Sequence, residues 1–275
     1  MIEAVIQFSS TNLLLGVGLA AAIAGIAWRL KMLSADGWLA ATLLGGTTFG
    51  VGGLPAAILL IVFFASSSLF SKAFARRKNK VTTNFAKGGR RDLAQVVANG
   101  GIAIVGLVVS AVGWVPEPIA WVVFSASLAT VTADTWATEV GLLSSRQPFL
   151  ITTGKRVPRG SSGGVSLLGS FIAFTASLCI AFLAWFLGIT AIAIVPLVAI
   201  AGLLGSFLDS LLGATVQAIY YCPKCKKETE RNPTHYCGTP TTLYRGLRWL
   251  DNDWVNFLSS AFGALLAVGL FAIFM

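Results

Sequence analysis

Residues 93–140 read LAQVVANGGIAIVGLVVSAVG-WVPE-PIAWVVFSASLATVTADTWATEV, and this stretch decides the class of fold. Two long apolar runs, 93–113 and 118–140, are separated by a connection of four residues. Each run is continuous rather than alternating, which is typical of a helix that crosses a bilayer and not of a β-strand. The stretch therefore predicts two neighbouring transmembrane helices joined by a very short loop.

The same pattern recurs along the chain. Eight apolar runs are predicted to be transmembrane helices, at 11–28, 36–51, 54–70, 93–113, 118–140, 164–187, 191–217 and 254–274. Composition agrees, because charged residues make up 11% of the chain, whereas soluble domains contain about 25%. The predicted fold is an all-α, polytopic membrane helix bundle that forms a single domain over residues 1–275. A Cys-rich loop, residues 220–251, is inserted between the seventh and eighth runs.

The basic residues predict the orientation of the bundle. All twenty Lys and Arg residues fall in four alternate loops, which follow the first, third, fifth and seventh runs. Because basic loops stay on the cytoplasmic side, both termini are predicted to lie outside a cell (inner) membrane. These loops also explain the net charge of +9, so nucleic-acid binding is not predicted.

Six carboxylates lie at or inside the ends of the predicted helices, all on the basic side: Asp36, Asp92, Asp134, Glu139, Asp209 and Asp253. An ionisable group inside a membrane helix is costly unless it faces a cavity or a partner. We therefore predict a polar cavity near the inner leaflet, lined by the fourth, fifth, seventh and eighth runs. The alternative is that these groups pair with loop arginines and hold the bundle together.

Two glycine-rich basic segments precede predicted helices, KGGRRD at 87–92 and RVPRGSSGG at 156–164. Backbone N–H groups at a helix N-terminus bind phosphate, and glycine allows a close approach. Neither segment matches a P-loop, and a flexible loop that contacts anionic lipid is the alternative. Cations for phosphate together with carboxylates for Mg²⁺ indicate phosphoryl transfer.

The Cys-rich loop contains CPKC at 222–225 and HYC at 235–237. Cys222, Cys225, His235 and Cys237 would form a Cys₃His site for structural Zn²⁺. A cytoplasmic location keeps thiols reduced, which favours metal over disulfide. The alternative is a reduced, metal-free loop.

Several motifs together resemble one family of integral membrane proteins. They are GGRRD (88–92), QVVANGG (95–101), ADTWATEVG (133–141), GGVSLLG (163–169), DSLLGATVQ (209–217) and NDWVN (252–256). In this order, over roughly residues 34–270, they are similar to domain-of-unknown-function family ninety-two. The Cys-rich loop departs from the plant and animal members.

That family includes the phytyl-phosphate kinase of tocopherol and phylloquinone synthesis and the animal transmembrane protein nineteen. The resemblance implies transfer of a phosphoryl group from CTP or ATP to a prenyl monophosphate held in the lipid bilayer. Asp92, Asp134, Glu139 and Asp209 are expected to hold Mg²⁺, while Lys87, Arg90, Arg91, Arg156 and Arg159 bind phosphates and Asn99, Asp253 and Asn256 orient them.

Three other functions stay open at this point. A cytidylyltransferase would use the same carboxylates and cations to make a CDP-lipid. A transporter would use the carboxylates as ion sites, although carriers place such sites near the bilayer midplane. A scaffold would bind a partner through the Cys-rich loop.

Overall fold

The computed structural model describes residues 6, 10–73 and 89–275, and its main feature is a bundle of long apolar helices. In this part of the chain the helices are α1 (Ser10–Arg29), α2 (Ala35–Ala73), α3 (Leu93–Ala111), α4 (Glu117–Gly141), α5 (Leu167–Phe186), α6 (Val195–Thr215) and α7 (Asn252–Phe274). Each helix is long and apolar enough to cross a membrane. The predicted all-α membrane fold is confirmed.

The longest helix, α2, consists of two arms that run in opposite directions. A straight helix of 39 residues would be about 58 Å long. However, Lys72 near its end donates a hydrogen bond to the carbonyl of Leu30, which precedes its start. Gly53 lies between the arms with φ 66° and ψ −162°, a conformation that favours glycine. The chain therefore reverses at Gly53, and the arms correspond to the predicted runs 36–51 and 54–70.

Helix α4 is the central helix of the bundle. It packs against α2, α3, α5, α6 and α7, and most of its residues are buried. Small residues let its neighbours come close. A Cβ added to Gly205 of α6 or Gly263 of α7 would lie 2.5 or 2.0 Å from side-chain atoms of Thr130. Such contacts are typical of transmembrane helices, whose association depends on close packing rather than on the hydrophobic effect.

The longer connections gather at one end of the bundle, where α2, α4 and α6 end and α3, α5 and α7 begin. One of them carries an antiparallel pair, β1 (Phe149–Leu150) and β2 (Gly164–Val165). Another carries β3 (Ile219–Cys222), β4 (Lys227–Thr229) and β5 (Thr242–Arg245), in the antiparallel order β4-β3-β5. The sequence did not predict these short strands. This end contains the described parts of the basic loops, and its cytoplasmic orientation stays a prediction.

Candidate functional site

A cavity of about 750 Å³ opens at the basic end of the bundle. Polar side chains from four helices line it: Gln95 and Asn99 of α3, Asp134, Thr138 and Glu139 of α4, Ser206, Asp209 and Ser210 of α6, and Asn252, Asp253 and Asn256 of α7. The sequence analysis assigned these four helices to a polar cavity, and in the structure Ser71 of α2 and Ser170 of α5 also line it. We refer to this space as the polar cavity.

Two carboxylates of the polar cavity come from neighbouring helices. Asp134 on α4 and Asp209 on α6 lie close enough to interact electrostatically, and both are half-buried. The Oδ2 atom of Asp209 is buried and has no hydrogen-bond partner among the described residues, although Ser259 of α7 lies beside the carboxylate. Two acids so placed repel each other unless a proton or a cation joins them. Carboxylate oxygens are ligands that Mg²⁺ accepts.

The other acids of the polar cavity are tied to the protein in different ways. Glu139 is buried, and its Oε1 atom accepts a hydrogen bond of 2.6 Å from Ser71 in the second arm of α2. Asp251 caps α7 by accepting hydrogen bonds from the backbone N–H groups of Asp253 and Trp254, at 3.0 and 3.1 Å. Asp253 is buried in the first turn of that helix. Glu139 therefore links α4 to α2, while Asp251 and Asp253 belong to the start of α7 beside the same cavity.

Asp92 has a different position from the one expected. It does not belong to the described residues that line the polar cavity. Its carboxylate accepts a hydrogen bond from the N–H of Gln95, while the Gln95 side chain accepts one from the N–H of Asp92, which makes a capping box at the start of α3. The N–H of Leu93 donates to Asp36. Two carboxylates thus occupy the helix end that the sequence analysis assigned to phosphate, and Asp92 acts as a helix cap.

Cations surround the opening of the polar cavity. They are Lys31, Lys72, Arg90, Arg91, Arg159 and Arg231, and most of them are exposed. Arg156 is not in this group of described residues, because its guanidinium lies over the ring of Phe149, 5.5 Å from the centroid. Lys87, also predicted to bind phosphate, lies outside the described residues. Sequence reasoning missed Lys31, Lys72 and Arg231, which have no glycine-rich segment beside them.

Arg91 is held in place by contacts of both its side chain and its backbone. Its guanidinium lies over the rings of Phe63 and Phe64, 5.4 and 5.5 Å from their centroids. Its backbone bonds to the first loop, where its N–H donates to the Met32 carbonyl and its own carbonyl accepts from the N–H of Ser34, both at 2.9 Å. Burial lowers the pKa of Arg91 to about 10, so the side chain stays charged at neutral pH. It is a fixed cation facing the polar cavity.

The second glycine-rich segment forms part of the cavity wall. Gly163 has φ +80°, and a Cβ there would lie 2.4 Å from the Cβ of Ala214 in α6. The hydroxyl of Ser162 lies 3.0 Å from the Gly213 carbonyl and 2.9 Å from the side-chain oxygen of Gln217. Ser166 then caps α5 by accepting a hydrogen bond from the N–H of Gly169. These contacts fix the segment against the end of α6.

Three residues that sequence reasoning missed close one side of the polar cavity. Gln217 is 2% exposed, and its side-chain amide donates a 3.1 Å hydrogen bond to Glu230. Glu230 and Arg231 follow β4 in the Cys-rich loop, and both line the cavity. Gln217 ends an apolar run. A single amide side chain at the end of such a run was the sequence signal that could have identified it as a cavity residue. Nothing in the local sequence distinguishes Glu230 and Arg231 from other loop charges.

The four predicted zinc ligands are neighbours in the structure. The donor atoms of Cys222, Cys225, His235 and Cys237 all lie within 4.8 Å of one another. Hydrogen bonding with Thr239 and with His235 lowers the pKa of the Cys237 thiol to about 5. The cluster lies in the Cys-rich loop, beside the strands that carry Glu230 to the cavity.

Fold and site together define a class, a multi-pass helical membrane protein with a charged polar cavity at one end of its bundle. The sequence model of a family described as integral membrane protein DUF92 matches residues 18–264. The chain belongs to that family.

Curated relatives agree with this assignment. Protein PGR of Arabidopsis thaliana is 33% identical over an alignment of 273 positions, which includes 90% of this chain and 92% of PGR. Protein VTE6, chloroplastic, of the same plant is 27% identical and matches 86% of this chain and 64% of VTE6. An uncharacterized membrane protein of Synechocystis is 27% identical and matches 90% of this chain and 86% of its own length. No solved structure matches.

Proposed function

We propose that the polar cavity is the catalytic site of a nucleotide-dependent kinase that phosphorylates a prenyl monophosphate at the cytoplasmic membrane face. The observation that carries this proposal is the pair Asp134 and Asp209, with an unpartnered carboxylate oxygen, inside a cavity that is surrounded by cations. Carboxylates that hold Mg²⁺ and cations that hold phosphates are the parts that phosphoryl transfer requires.

The proposed roles follow the positions of the residues. Asp134 and Asp209 hold Mg²⁺, with Glu139 as a further acidic group from the same helix as Asp134. The phosphates lie near Arg90, Arg91 and Arg159, with Asn99, Asp253 and Asn256 orienting their oxygens. Asp92 serves this site indirectly, since it caps the helix that carries Asn99.

The reaction needs positioning more than acid–base chemistry, because the attacking phosphate is already an anion. An oxygen of the prenyl monophosphate forms a bond to the γ-phosphorus of the nucleotide. The bond between that phosphorus and the β,γ-bridging oxygen breaks, and the nucleoside diphosphate leaves. Fixed cations such as Arg91 stabilise the charge that develops on the γ-phosphoryl oxygens.

Size and location fit such a pair of substrates. A cavity of about 750 Å³ falls within the range of small-molecule sites, about 300–1,000 Å³. It opens at the end of apolar helices, where a prenyl tail can stay in the bilayer while its phosphate reaches water. Membership of the family, which includes phytyl-phosphate kinase, supports the same substrate class.

The direct test is product analysis with purified protein, Mg²⁺ and phytyl monophosphate. CTP and ATP are supplied in parallel, each labelled at the γ-phosphate. The proposal expects labelled prenyl diphosphate and unlabelled nucleoside diphosphate. Labelled pyrophosphate with a CDP-lipid would show the cytidylyltransferase instead, and ion flux in liposomes without nucleotide would show a carrier. Either result would overturn the kinase proposal.

A further inference from the structure

The Cys-rich loop folds into a small unit with little apolar core. Its strands β3, β4 and β5 are four, three and four residues long, and a sheet of this size is marginal in water without added support. The buried apolar residues of this unit include Ala218, which precedes β3, and Ile219 and Tyr220 of β3. Leu250, near the start of α7, is buried as well. Most of β4 and half of β5 are exposed. Apolar burial alone therefore does not explain how the unit keeps one conformation.

We propose that this unit is a zinc-binding module. Cys222, Cys225, His235 and Cys237 bind one Zn²⁺ ion, and the ion holds Glu230 and Arg231 against the polar cavity. The proposal concerns a structural metal, and it does not depend on the reaction that the cavity performs.

The distances fit a tetrahedral ion. Zinc bonds of about 2.3 Å to sulfur and about 2.0 Å to nitrogen place tetrahedral ligands about 3.7 Å apart for two sulfurs and about 3.5 Å apart for sulfur and nitrogen. The Sγ atoms of Cys222 and Cys237 lie 3.6 Å apart. Nδ1 of His235 lies 3.2 Å from Sγ of Cys237. These two spacings are close to those of a tetrahedral shell, and all four donor atoms lie within 4.8 Å of one another.

The backbone presents these donors in two tight turns. The first turn begins at Cys222, the last residue of β3, and passes through Cys225. It ends at Lys226, which has a positive φ of 52°. In the second turn the N–H of Gly238 donates to the carbonyl of His235, and the N–H of His235 donates to the carbonyl of Thr239, both at 2.9 Å. Cys222 and His235 are buried, so the cluster is closed to solvent on one side.

The donor set selects the metal. Three thiolates and one imidazole favour Zn²⁺ over Mg²⁺ or Ca²⁺, which prefer oxygen. Four protein ligands complete a tetrahedral shell, which is typical of a structural rather than a catalytic zinc site.

The module positions two residues of the polar cavity. β4 pairs with β3 through Tyr220 and Thr229 and through Cys222 and Lys227. Glu230 and Arg231 follow β4 directly, and the backbone carbonyl of Arg231 accepts a 2.9 Å hydrogen bond from Thr241. Both residues lie in the stretch of chain between the first and second pairs of zinc ligands. Fixing the four ligands to one ion therefore fixes the path of that stretch.

The test is metal analysis of the full-length protein, purified in detergent through a tag without histidine. We expect about one zinc ion per chain in the wild type. Cys237→Ser should lower the zinc content at least about tenfold, since one ligand is lost. His235→Ala should do the same, whereas His235→Cys should retain zinc because a Cys₄ shell is also tetrahedral. Cys179→Ser, at the exposed cysteine of α5, is the matched control and should retain the wild-type content.

Wild-type protein provides the readout if a variant fails to fold. After chelation and addition of Co²⁺ it should show the visible bands of tetrahedral cobalt thiolate. Chelation should also speed amide hydrogen exchange across β3, β4 and the Glu230 region, and leave exchange in α4 unchanged. Wild-type protein without zinc, zinc retained in Cys237→Ser, or exchange in β4 that chelation does not alter would each overturn the proposal.

Discussion

A carboxylate among membrane helices is costly when it lacks partners, because the hydrocarbon offers no water to solvate it. Asp209 is in this situation, half-buried beside Asp134 with one oxygen that no described residue bonds. Asp251, in contrast, accepts hydrogen bonds from two backbone N–H groups at the start of α7. Asp251 therefore serves the fold, whereas Asp209 has an oxygen available to a ligand.

Replacement of Asp209 tests this distinction. Asp209→Asn removes a metal ligand and should lower turnover at least about 100-fold. It also removes an unsatisfied charge, so the melting temperature in detergent without Mg²⁺ should stay equal or rise. Initial rates with Mg²⁺ and nucleotide, together with thermal unfolding, provide the two measurements.

Asp36→Asn is the matched control for that variant. Asp36 lies at the same end of the bundle, and asparagine keeps an oxygen that accepts from the N–H of Leu93. Its turnover should stay near the wild-type value. Equal losses of turnover in the two variants would mean that turnover depends on the net charge at this end of the bundle, and not on Asp209 as a metal ligand.

At the residue scale, a charge inside an apolar run is easy to notice in the sequence, whereas a competing local hydrogen bond is not. Asp134 and Asp209 were predicted because charges inside an apolar run need a reason. Asp92 was assigned to the metal although Asp92-Leu-Ala-Gln95 also fits a capping box, with an acidic cap and Gln three residues later. The structure shows that the local hydrogen bonds at the start of α3 take precedence.

At the scale of elements, the helices were predictable because the bilayer dictates them. Every backbone group in hydrocarbon must bond within its own helix, so apolar length alone identifies a crossing segment. The strands were not predictable, because pieces of two to four residues show no alternation. The two arms of α2 were predicted as separate apolar runs, 36–51 and 54–70, and Gly53 now has a physical role as the point of reversal.

The close contact between α6 and the loop that contains Gly163 can be tested by substitution. Gly163→Ala should lower the free energy of unfolding by about 3 kcal/mol or more, because a Cβ would overlap both backbone and side chain of Ala214 at a positive φ. Thermal unfolding in detergent measures the loss.

Gly154→Ala separates steric overlap from backbone strain. Gly154 also has a positive φ, +65°, but a Cβ there meets nothing within 4 Å. The strain alone should cost about 1–2 kcal/mol. Equal losses at the two positions would contradict the close packing of residues 160–164 on α6.

At the scale of the whole molecule, the cavity is made by elements that are far apart in sequence. The sequence analysis could group α3, α4, α6 and α7 because their acids share one side of the bilayer. It could not predict that the Cys-rich loop turns back to add Glu230 and Arg231, since that path depends on the β4-β3-β5 sheet and on the hydrogen bond from Gln217.

Orientation in the membrane is a whole-molecule prediction. A reporter fused after Met275 should be on the outer side, and one inserted at the exposed turn around Gly154 should be cytoplasmic, because basic loops stay inside. Alkaline phosphatase reports the outer location, and green fluorescent protein reports the inner one. The reverse pattern would place the polar cavity on the wrong side for cytoplasmic nucleotide and would contradict the proposed function.

We propose that Asp134 and Asp209 bind a divalent cation in the same cavity as a nucleoside triphosphate. Electron paramagnetic resonance of Mn²⁺, titrated into purified protein with and without CTP or ATP, measures this directly. We predict one bound Mn²⁺ per chain whose affinity rises when nucleotide is present, and loss of that binding in Asp134→Asn and Asp209→Asn. Mn²⁺ binding that is absent from the wild type, or equally strong in both variants, would contradict the account.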